Sequence, residues 1–467
     1  MTTTSYAVVI GAGIGGLLAA RALSEFVDDV TVVERDALPD TPGPRRCVPQ
    51  ARHAHALTTR GRAAMEELFP GFTEDLLGFG APNGDMQADF RWFIDGHRWA
   101  KGVSGVPMLV VSRPVIEWHL RNLVSALPNV ELIDRCTASG ITTDPQHRAV
   151  TGLAVSVEQE EVADGVIAAD LIIDSSGRSS MSQGWLESLG FPRAREEKLP
   201  IHLAYATRHY RREPSHLAGD LGVGVGASPE RPRGGLMMAQ EGDRWVVTLA
   251  GYGKDEPPLD AEGFARFAAS LPVPEVGALI AGAQSLDDGV RYRVPATVRR
   301  HFDSSQLPDG YIPFGDTVCC FNPIYGQGMT VAALEALTLR QCLRGDHGDH
   351  SLVTKTFLRR TRRILDEAWD MSCATDLRMP FVEGKRTARI RMINAYVARV
   401  HRAAATDPRV GAAFLRVINL LAHPTSLASP PTLARVLRAQ RASSVHRPRK
   451  ISRSSARPAA PVRCDAR

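Results

Sequence analysis

Residues 6–10 (Tyr-Ala-Val-Val-Ile) form a short apolar block that runs straight into Gly11-Ala12-Gly13-Ile14-Gly15-Gly16. A continuous apolar run of this length bounded by glycines predicts a buried strand followed by a tight turn. Residues 17–26 then place Ala and Leu at helical spacing, and 30–33 form a second β-branched block that ends at Glu34. Strand, glycine turn, helix, strand is a βαβ unit. Residues 36–50 are Pro-rich and predict irregular chain. A helix is predicted over 54–69 and another over 115–125, with Ser112 as its cap and Arg113 and Pro114 in its first turn. Residues 130–133, 150–157 and 165–168 predict short strands, with an acidic exposed turn inside 157–168, and 169–173 an apolar strand.

The pattern changes between 185 and 300. Residues 201–210, 235–240 and 244–250 read as strands, some of them alternating, Gln240-Glu241-Gly242-Asp243 predicts a hairpin turn, and 261–269 a helix. Trp92, Phe93 and Trp99 lie on a separate strand-like stretch assigned to the same sheet. Aromatics at such spacing are as a rule core, with substrate contact as the alternative. Residues 311–314 return to a strand, and 330–343, 357–369, 388–404, 415–421 and 431–438 predict helices.

Composition adds exclusions. With 467 residues, 44% hydrophobic and 23% charged, the chain has the balance of a globular protein of two packed domains. That excludes a collagen, a disulfide scaffold and global disorder. No stretch approaches ~18 uninterrupted apolar residues, so no transmembrane segment is predicted. Residues 1–10 carry no basic residue and the apolar run leads straight into glycines, so no signal peptide is expected there. Cys47, Cys136, Cys319, Cys320, Cys342, Cys373 and Cys464 show no metal-ligand spacing, and their odd number suits reduced thiols in a cytoplasm. No metal site is expected. The net charge of +5 comes from residues 441–467, which hold eight Lys/Arg against Asp465; the other 440 residues sum to −2. The tail is expected to be disordered, and no nucleic-acid partner is expected of the body.

The candidate chemistry lies in three places. Around Gly11–Gly16 the glycines permit close backbone approach, and the helix that follows offers free N–H groups and a positive dipole end to a pyrophosphate. Glu34 stands where a ribose hydroxyl would lie, and an acid there disfavours a 2′-phosphate, so this pocket points to FAD or NAD rather than NADP. Asp174-Ser175-Ser176-Gly177-Arg178-Ser179-Ser180 closes the strand of 169–173, a second place for cofactor chemistry or an ordinary loop. Gly315-Asp316 and Cys320-Phe321-Asn322-Pro323-Ile324-Tyr325-Gly326-Gln327-Gly328-Met329 then lead into the helix of 330–343. Strand, glycine turn and helix N-terminus again predict an anchor for an electron-rich ligand group.

This ordered set, spanning about 320 residues, resembles the single-component, FAD-dependent group A flavoprotein monooxygenases of the p-hydroxybenzoate-hydroxylase fold. The aromatic hydroxylases carry Asp directly before Gly in the middle motif; here Ser176 holds that place and the acid is Asp174. That form, with Val48-Pro49-Gln50-Ala51-Arg52-His53-Ala54-His55, looks more like the squalene-epoxidase-like enzymes and the polyene epoxidases of bacterial polyether-antibiotic pathways. The resemblance implies an α/β fold: a Rossmann-type FAD-binding domain, an interleaved mixed-sheet substrate domain and C-terminal helices. The segments it implies are 1–80, 111–184 and 301–345 for FAD, 81–110 and 185–300 for substrate, 346–440 for the helices and 441–467 for the basic tail.

In the residue roles that follow from it, Gly11, Gly13 and Gly16 approach the pyrophosphate, with Gly15 and Arg35 in the same cofactor-binding set. Glu34 holds the adenosine ribose, Arg113 sits near the phosphate or ribityl region, and Asp316 binds the ribityl chain. Pro323, Gly326, Gln327, Gly328 and Met329 line the flavin. Arg52 is the candidate catalytic residue, a positive group near the flavin, with pairing to a surface acid as its alternative. His53 and His55 are candidates for positioning substrate, or else structural.

The implied activity is transfer of oxygen from O2 to an apolar alkene or electron-rich aromatic natural-product intermediate, by epoxidation or hydroxylation. NAD(P)H is the transient reductant, and the sequence leaves NADH against NADPH and the oligomeric state open. Three alternatives stand beside this reading: oxidative rearrangement or ring expansion of an indole-like heteroaromatic, flavin-dependent reduction of a double bond, and a non-catalytic flavin-binding protein. Halogenation is disfavoured, because Arg91-Trp92-Phe93-Ile94 does not match the tryptophan-halogenase WxWxIP signature, and the other halogenase branches stay open.

Overall fold

Five parallel strands form the sheet on which the motifs converge, in the order Tyr311–Pro313, Leu171–Asp174, Tyr6–Ile10, Asp29–Val33, Val130–Ile133. In this computed structural model, which describes residues 5–157, 165–345 and 349–445, their register aligns the motif starts. Ile10 is opposite both Val33 and Asp174, and Asp174 is opposite Pro313. The glycine turn, Glu34, the 175–180 loop and Gly315-Asp316 therefore leave the same carboxyl edge side by side. In open parallel sheets that edge is where ligands bind. The helix Ile14–Leu23 packs against the helix Gly328–Gly345 over this sheet, through a core of Leu17, Leu18, Ala333 and Ala336.

A second sheet of eight strands covers the edge. Its order is Cys319–Cys320, Val290–His301, Arg195–Arg211, Arg244–Tyr252, Arg233–Gln240, Gly222–Val225, Phe90–Ile94, His97–Arg98. Period-two alternation divides its faces. Along Arg244–Tyr252, Trp245, Val247 and Leu249 join the core that includes Phe264 and Phe267, while Thr248, Ala250 and Tyr252 face inward to the cavity. Phe90–Ile94 does join this sheet, parallel to Gly222–Val225. The helices His350–Asp376, Ala388–Ala404, Pro408–Ile418 and Pro430–Val445 close the far side. An α/β Rossmann-type domain, a mixed sheet and C-terminal helices are the architecture expected from the sequence.

Several elements differ from expectation. The helix expected over 54–69 is Thr59–Leu68, because Thr58 caps it by accepting from the Gly61 N–H at 3.2 Å. The residues before it stay extended, with the Ala54 N–H donating to Thr248 Oγ1 at 3.1 Å. The helix expected at 415–421 is Pro408–Ile418, capped by Asp407. The strands Cys136–Thr143 and Gly222–Val225 carried no sequence signal. The helix Pro430–Val445 runs through the start of the segment expected to be disordered, since Ala, Leu, Arg and Gln there are good helix formers. The remainder of that tail, 446–467, and the acidic turn, 158–164, lie outside the described residues. No helix among the described residues is long and apolar enough to cross a membrane.

Candidate active site

The turn after Tyr6–Ile10 is built by steric necessity. Gly11 has φ of +96°, and a Cβ there would stand 2.8 Å from the Ser175 carbonyl oxygen. A Cβ on Gly16 would stand 1.8 Å from the Gly11 carbonyl oxygen, so this glycine lets helix and strand touch. Gly16 does not line the cavity, which corrects its expected approach to a pyrophosphate. Gly13 is different: the nearest atom to a Cβ there is Arg45 Nη2, at 3.9 Å. Gly13 is the helix N-cap and has no side chain to satisfy the first-turn N–H groups. Open space and free donors meet there, as an anion requires. Gly11, Gly13 and Gly15 line the cavity, as do Glu34 and the exposed Arg35.

Glu34 is buried and partly committed. It accepts from the Ala12 N–H at 2.9 Å and the Asp36 N–H at 3.0 Å, and pairs with Arg45 at 2.8 Å. A carboxylate has about four acceptor sites, so capacity for a ribose hydroxyl remains. Arg45 also donates to Glu117 at 2.6 Å. Burial opposes its charge, but Glu117 and Glu34 outweigh burial and raise its pKa.

The middle motif faces the cavity with other atoms than its acid. Asp174 is buried and accepts from the Ser176 N–H at 3.0 Å, Ser180 Oγ at 2.8 Å and Tyr311 Oη at 2.8 Å. Its carboxylate holds its own loop. Ser175, Ser176, Gly177 and Arg178 line the cavity instead. The Gly177 N–H donates to Thr317 Oγ1 at 3.0 Å, which fixes this loop to the Gly315-Asp316 turn.

Asp316 is enclosed by protein yet presents its carboxylate to the cavity. Burial raises its pKa, and the guanidinium groups of Arg113 and Arg178 oppose the rise. Gly326 ends a short turn at φ of +65°, and Gly328 opens the long helix beside Asp316. Pro323, Gly326, Gln327, Gly328 and Met329 all line the cavity, as does Arg113. A glycine cradle at one end, and an acid beside a helix N-terminus at the other, fit the pyrophosphate and the ribityl–isoalloxazine half of FAD.

Behind that turn is a polar cluster that sequence motifs did not signal. Oδ1 of Asp376 accepts from Tyr325 Oη at 2.7 Å, Asn322 Nδ2 at 2.8 Å and Tyr252 Oη at 3.2 Å. Asp376 is fully buried. Burial pushes its carboxyl up to about 6, against the opposing pull of those three donors.

Arg52 is misplaced for the role expected of it. It is exposed at the end of the 3-10 turn Pro49–Arg52 and does not line the cavity, because the turn directs Ala51 inward and Arg52 to solvent. The cavity's cations near Asp316 are Arg113 and Arg178. His53 is buried against Tyr205, with Nδ1 2.7 Å from Thr207 Oγ1. His55 lines the cavity. Its Nδ1 donates to the His53 carbonyl at 2.9 Å, so Nε2 is an acceptor; burial, then Arg113, lowers its pKa to about 3. Trp92 faces the cavity, whereas Phe93 and Trp99 are core.

The cavity measures about 2160 Å³. Pockets for one small ligand occupy about 300–1,000 Å³. Beyond the glycine turn and the Asp316 end, it continues past Tyr205 and Tyr292 into a chamber walled by Trp92, Leu236, Met238 and Phe414. That is room for a dinucleotide and a second, apolar ligand. No group of three or more metal-ligating side chains occurs among the described residues.

This arrangement of two sheets around one cavity is the flavin-dependent monooxygenase and halogenase fold. The chain matches PqsL from Pseudomonas aeruginosa, a probable FAD-dependent monooxygenase, with a TM-score of 0.63 at 15% identity over 81% of this chain and 97% of that one. It matches CmlS, a flavin-dependent halogenase, with a TM-score of 0.63 at 15% identity over 89% and 77%. A flavoprotein/dehydrogenase from Cytophaga hutchinsonii gives 0.67 at 13% identity over 94% and 99%. No family model matches the sequence. The chain belongs to the family of protein Rv3254 of Mycobacterium tuberculosis (strain ATCC 25618 / H37Rv), to which it is 33% identical over 449 residues, 92% of this chain and 93% of that protein.

Proposed function

We propose that the protein is an FAD-dependent monooxygenase acting on an apolar alkene or electron-rich aromatic natural-product intermediate, which it epoxidises or hydroxylates. One atom of O2 enters the substrate, the other leaves as water, and NAD(P)H supplies the two electrons. The observation that carries this reading is the continuity of one cavity from the Gly13 helix start, past Asp316 and Gly328, into the apolar chamber beneath the eight-stranded sheet. FAD supplies the oxygen-activating chemistry when bound. The chain's own residues bind, orient and exclude water. Gly11, Gly13 and Gly15 leave room at the pyrophosphate, with Glu34 and Arg35 at the adenosine end. Asp316 takes ribityl hydroxyls while Arg113 and Arg178 balance its charge. The N–H groups at Gly328 and Met329, at the start of the long helix, would stabilise negative charge on a flavin held there. The aromatic and aliphatic chamber keeps water from the reacting carbon.

The test is NAD(P)H consumption by the FAD-loaded protein against a panel of polyenes and indoles under isotopically heavy O2. Substrate-dependent consumption, with one heavy oxygen in the product, is the expected result. A product reduced in the absence of O2 would transfer the site to the double-bond reductases. Consumption unaffected by every substrate in the panel would count against oxygenation of these classes.

A further inference from the structure

Charge is divided sharply along this chain. Residues 378–445 hold twelve Lys/Arg and two acids, Glu383 and Asp407. Residues 1–377 hold thirty-seven Lys/Arg and forty-eight Asp/Glu, so the near-neutral body is an acidic protein with a basic helical layer. Residues 446–467, which continue from the end of that layer, add seven Lys/Arg against Asp465.

The same layer exposes large apolar side chains at the opening of the cavity. Met392 is 68% exposed and Ile393 36% on the helix Ala388–Ala404, and Leu433 is 38% and Leu437 47% exposed one turn apart on Pro430–Val445. The two helices pack on each other. Met392, Ile393 and Leu433 line the opening together with Lys385, Arg389 and Arg399. None of these three cations pairs with a carboxylate among the described residues. The acids on the same opening are Glu383 and, on the neighbouring helix His350–Asp376, Asp366, Glu367 and Asp370, of which Asp366 pairs with Arg299 and Glu367 lies 3.8 Å from His423, and Arg363 adds a fourth cation.

We infer that this lip docks on an anionic lipid surface, with the cations at the headgroups and Met392, Ile393, Leu433 and Leu437 entering the headgroup–acyl boundary. Apolar residues among Arg and Lys on exposed helices are the pattern of an interfacial anchor. A second copy placed lip to lip would set two basic layers against each other, and one docked through its acidic 1–377 segment would give salt-sensitive self-association without flotation, which overturns the proposal. A nucleic acid would satisfy the cations but leave four large apolar side chains in water. A bilayer satisfies both. Docked this way, the opening meets the phase in which an apolar compound is concentrated; this last point rests on the function proposed above, while the docking does not.

The experiment is flotation of the full-length, FAD-loaded protein with phosphatidylcholine vesicles, and with vesicles that also contain phosphatidylglycerol. The expected result is flotation with the anionic vesicles, weakened by salt. Met392→Asp with Leu433→Asp lowers that binding by about tenfold or more. Reversing Arg447, Arg449 and Lys450 to Glu has a smaller effect. Flavin content and melting temperature report whether each variant folds, and Met392→Gln with Leu433→Gln replaces the Asp pair if it does not. Absence of flotation overturns the proposal. So does flotation that survives the lip substitutions, or is abolished by the Arg447, Arg449 and Lys450 reversal alone, which would assign binding to the C-terminal segment. Displacement by soluble polyglutamate or DNA, with no effect of the lip substitutions, would mean that the surface reads charge and not lipid.

Discussion

The hydroxyl of Tyr325 lies 2.7 Å from Oδ1 of Asp376, and this bond joins the turn that faces the cavity to the C-terminal helical layer. Tyr325 belongs to the short turn Pro323–Tyr325, whereas Asp376 ends the helix His350–Asp376. Asn322 and Tyr252 bond the same oxygen, so three elements from different parts of the chain meet on one atom. The other oxygen, Oδ2, has no partner among the described residues. A buried carboxylate served on one side only is costly when charged.

That asymmetry has a pH signature. The native carboxyl of Asp376 titrates at about 6, above its ordinary value of 3.8. The folded protein therefore holds this proton more tightly than the unfolded chain does. Stability contributed here is complete below about pH 4, falls as pH rises to about 6, and is level above that. The loss is at most about 3 kcal/mol. In Asp376→Asn the amide oxygen can keep the three donors, and its NH2 takes the place of the unpartnered oxygen. The variant should gain stability relative to the parent as pH rises from 4 to 7, by up to that amount. Melting temperatures of both proteins across this range check it; a difference that does not change with pH refutes it.

Gly13 and Gly16 separate ligand from fold. Alanine at Gly16 forces a methyl group to 1.8 Å from the backbone of Gly11, so the turn must move. The expected cost is about 3 kcal/mol or more, seen as early urea unfolding without FAD. Alanine at Gly13 meets nothing closer than 3.9 Å. It should leave the apoprotein within about 1 kcal/mol of the parent and weaken FAD binding, because its methyl occupies space open to the phosphates. Unfolding curves without FAD, paired with FAD titrations, distinguish the two. Equal loss of stability in both variants would remove the distinction.

Asp316 and Arg52 make a second contrast. Asp316→Ala removes the acid between Arg113 and Arg178 and the proposed acceptor for ribityl hydroxyls. FAD affinity should fall by about 1–3 kcal/mol, roughly 5-fold to 150-fold. Arg52→Ala, on an exposed side chain away from the cavity, should leave FAD affinity unchanged. Fluorescence titration of the apoproteins measures both. Unchanged affinity in Asp316→Ala would sink the ribityl assignment, and a loss in Arg52→Ala would reopen the role expected from sequence.

What the sequence made legible was local. The glycine turn, Glu34 and the late glycine motif each lie within a few residues of a strand end and a helix start, so their geometry follows from neighbours in the chain. The role of Asp174 stayed open between cofactor chemistry and an ordinary loop, because Tyr311, one of the donors that commits it to its own loop, is 137 residues away. Asp376 escaped notice for the same reason: a single acid late in a helix has no motif, and its partners are at 252, 322 and 325. The strand Gly222–Val225 reads Gly-Val-Gly-Val, and glycine at every second place masks the strand signal of its valines. Its glycines make room for rings, since a Cβ on Gly222 would meet Phe90 at 2.3 Å and one on Gly224 would meet Trp92 at 2.6 Å. Arg52 was favoured for its place in a motif, yet only the turn geometry determines which side chain of that segment faces inward.

Arg45 gives the severest test of the adenosine end. In the sequence it is one arginine of a Pro-rich loop; in the fold it is buried between Glu34 and Glu117. Removing one partner of a buried ionic cluster leaves the other charges uncompensated, at a cost of about 3–5 kcal/mol. Arg45→Leu should lose stability of that order. Replacing Glu117 by Leu as well removes one stranded charge, so the double variant should be more stable than Arg45→Leu alone. Glu117→Leu alone should be tolerated better than Arg45→Leu, because Glu34 still balances the guanidinium. Urea unfolding of the three variants forms a thermodynamic cycle, and additive losses would mean that the ion cluster acts as independent packing rather than as a charge balance.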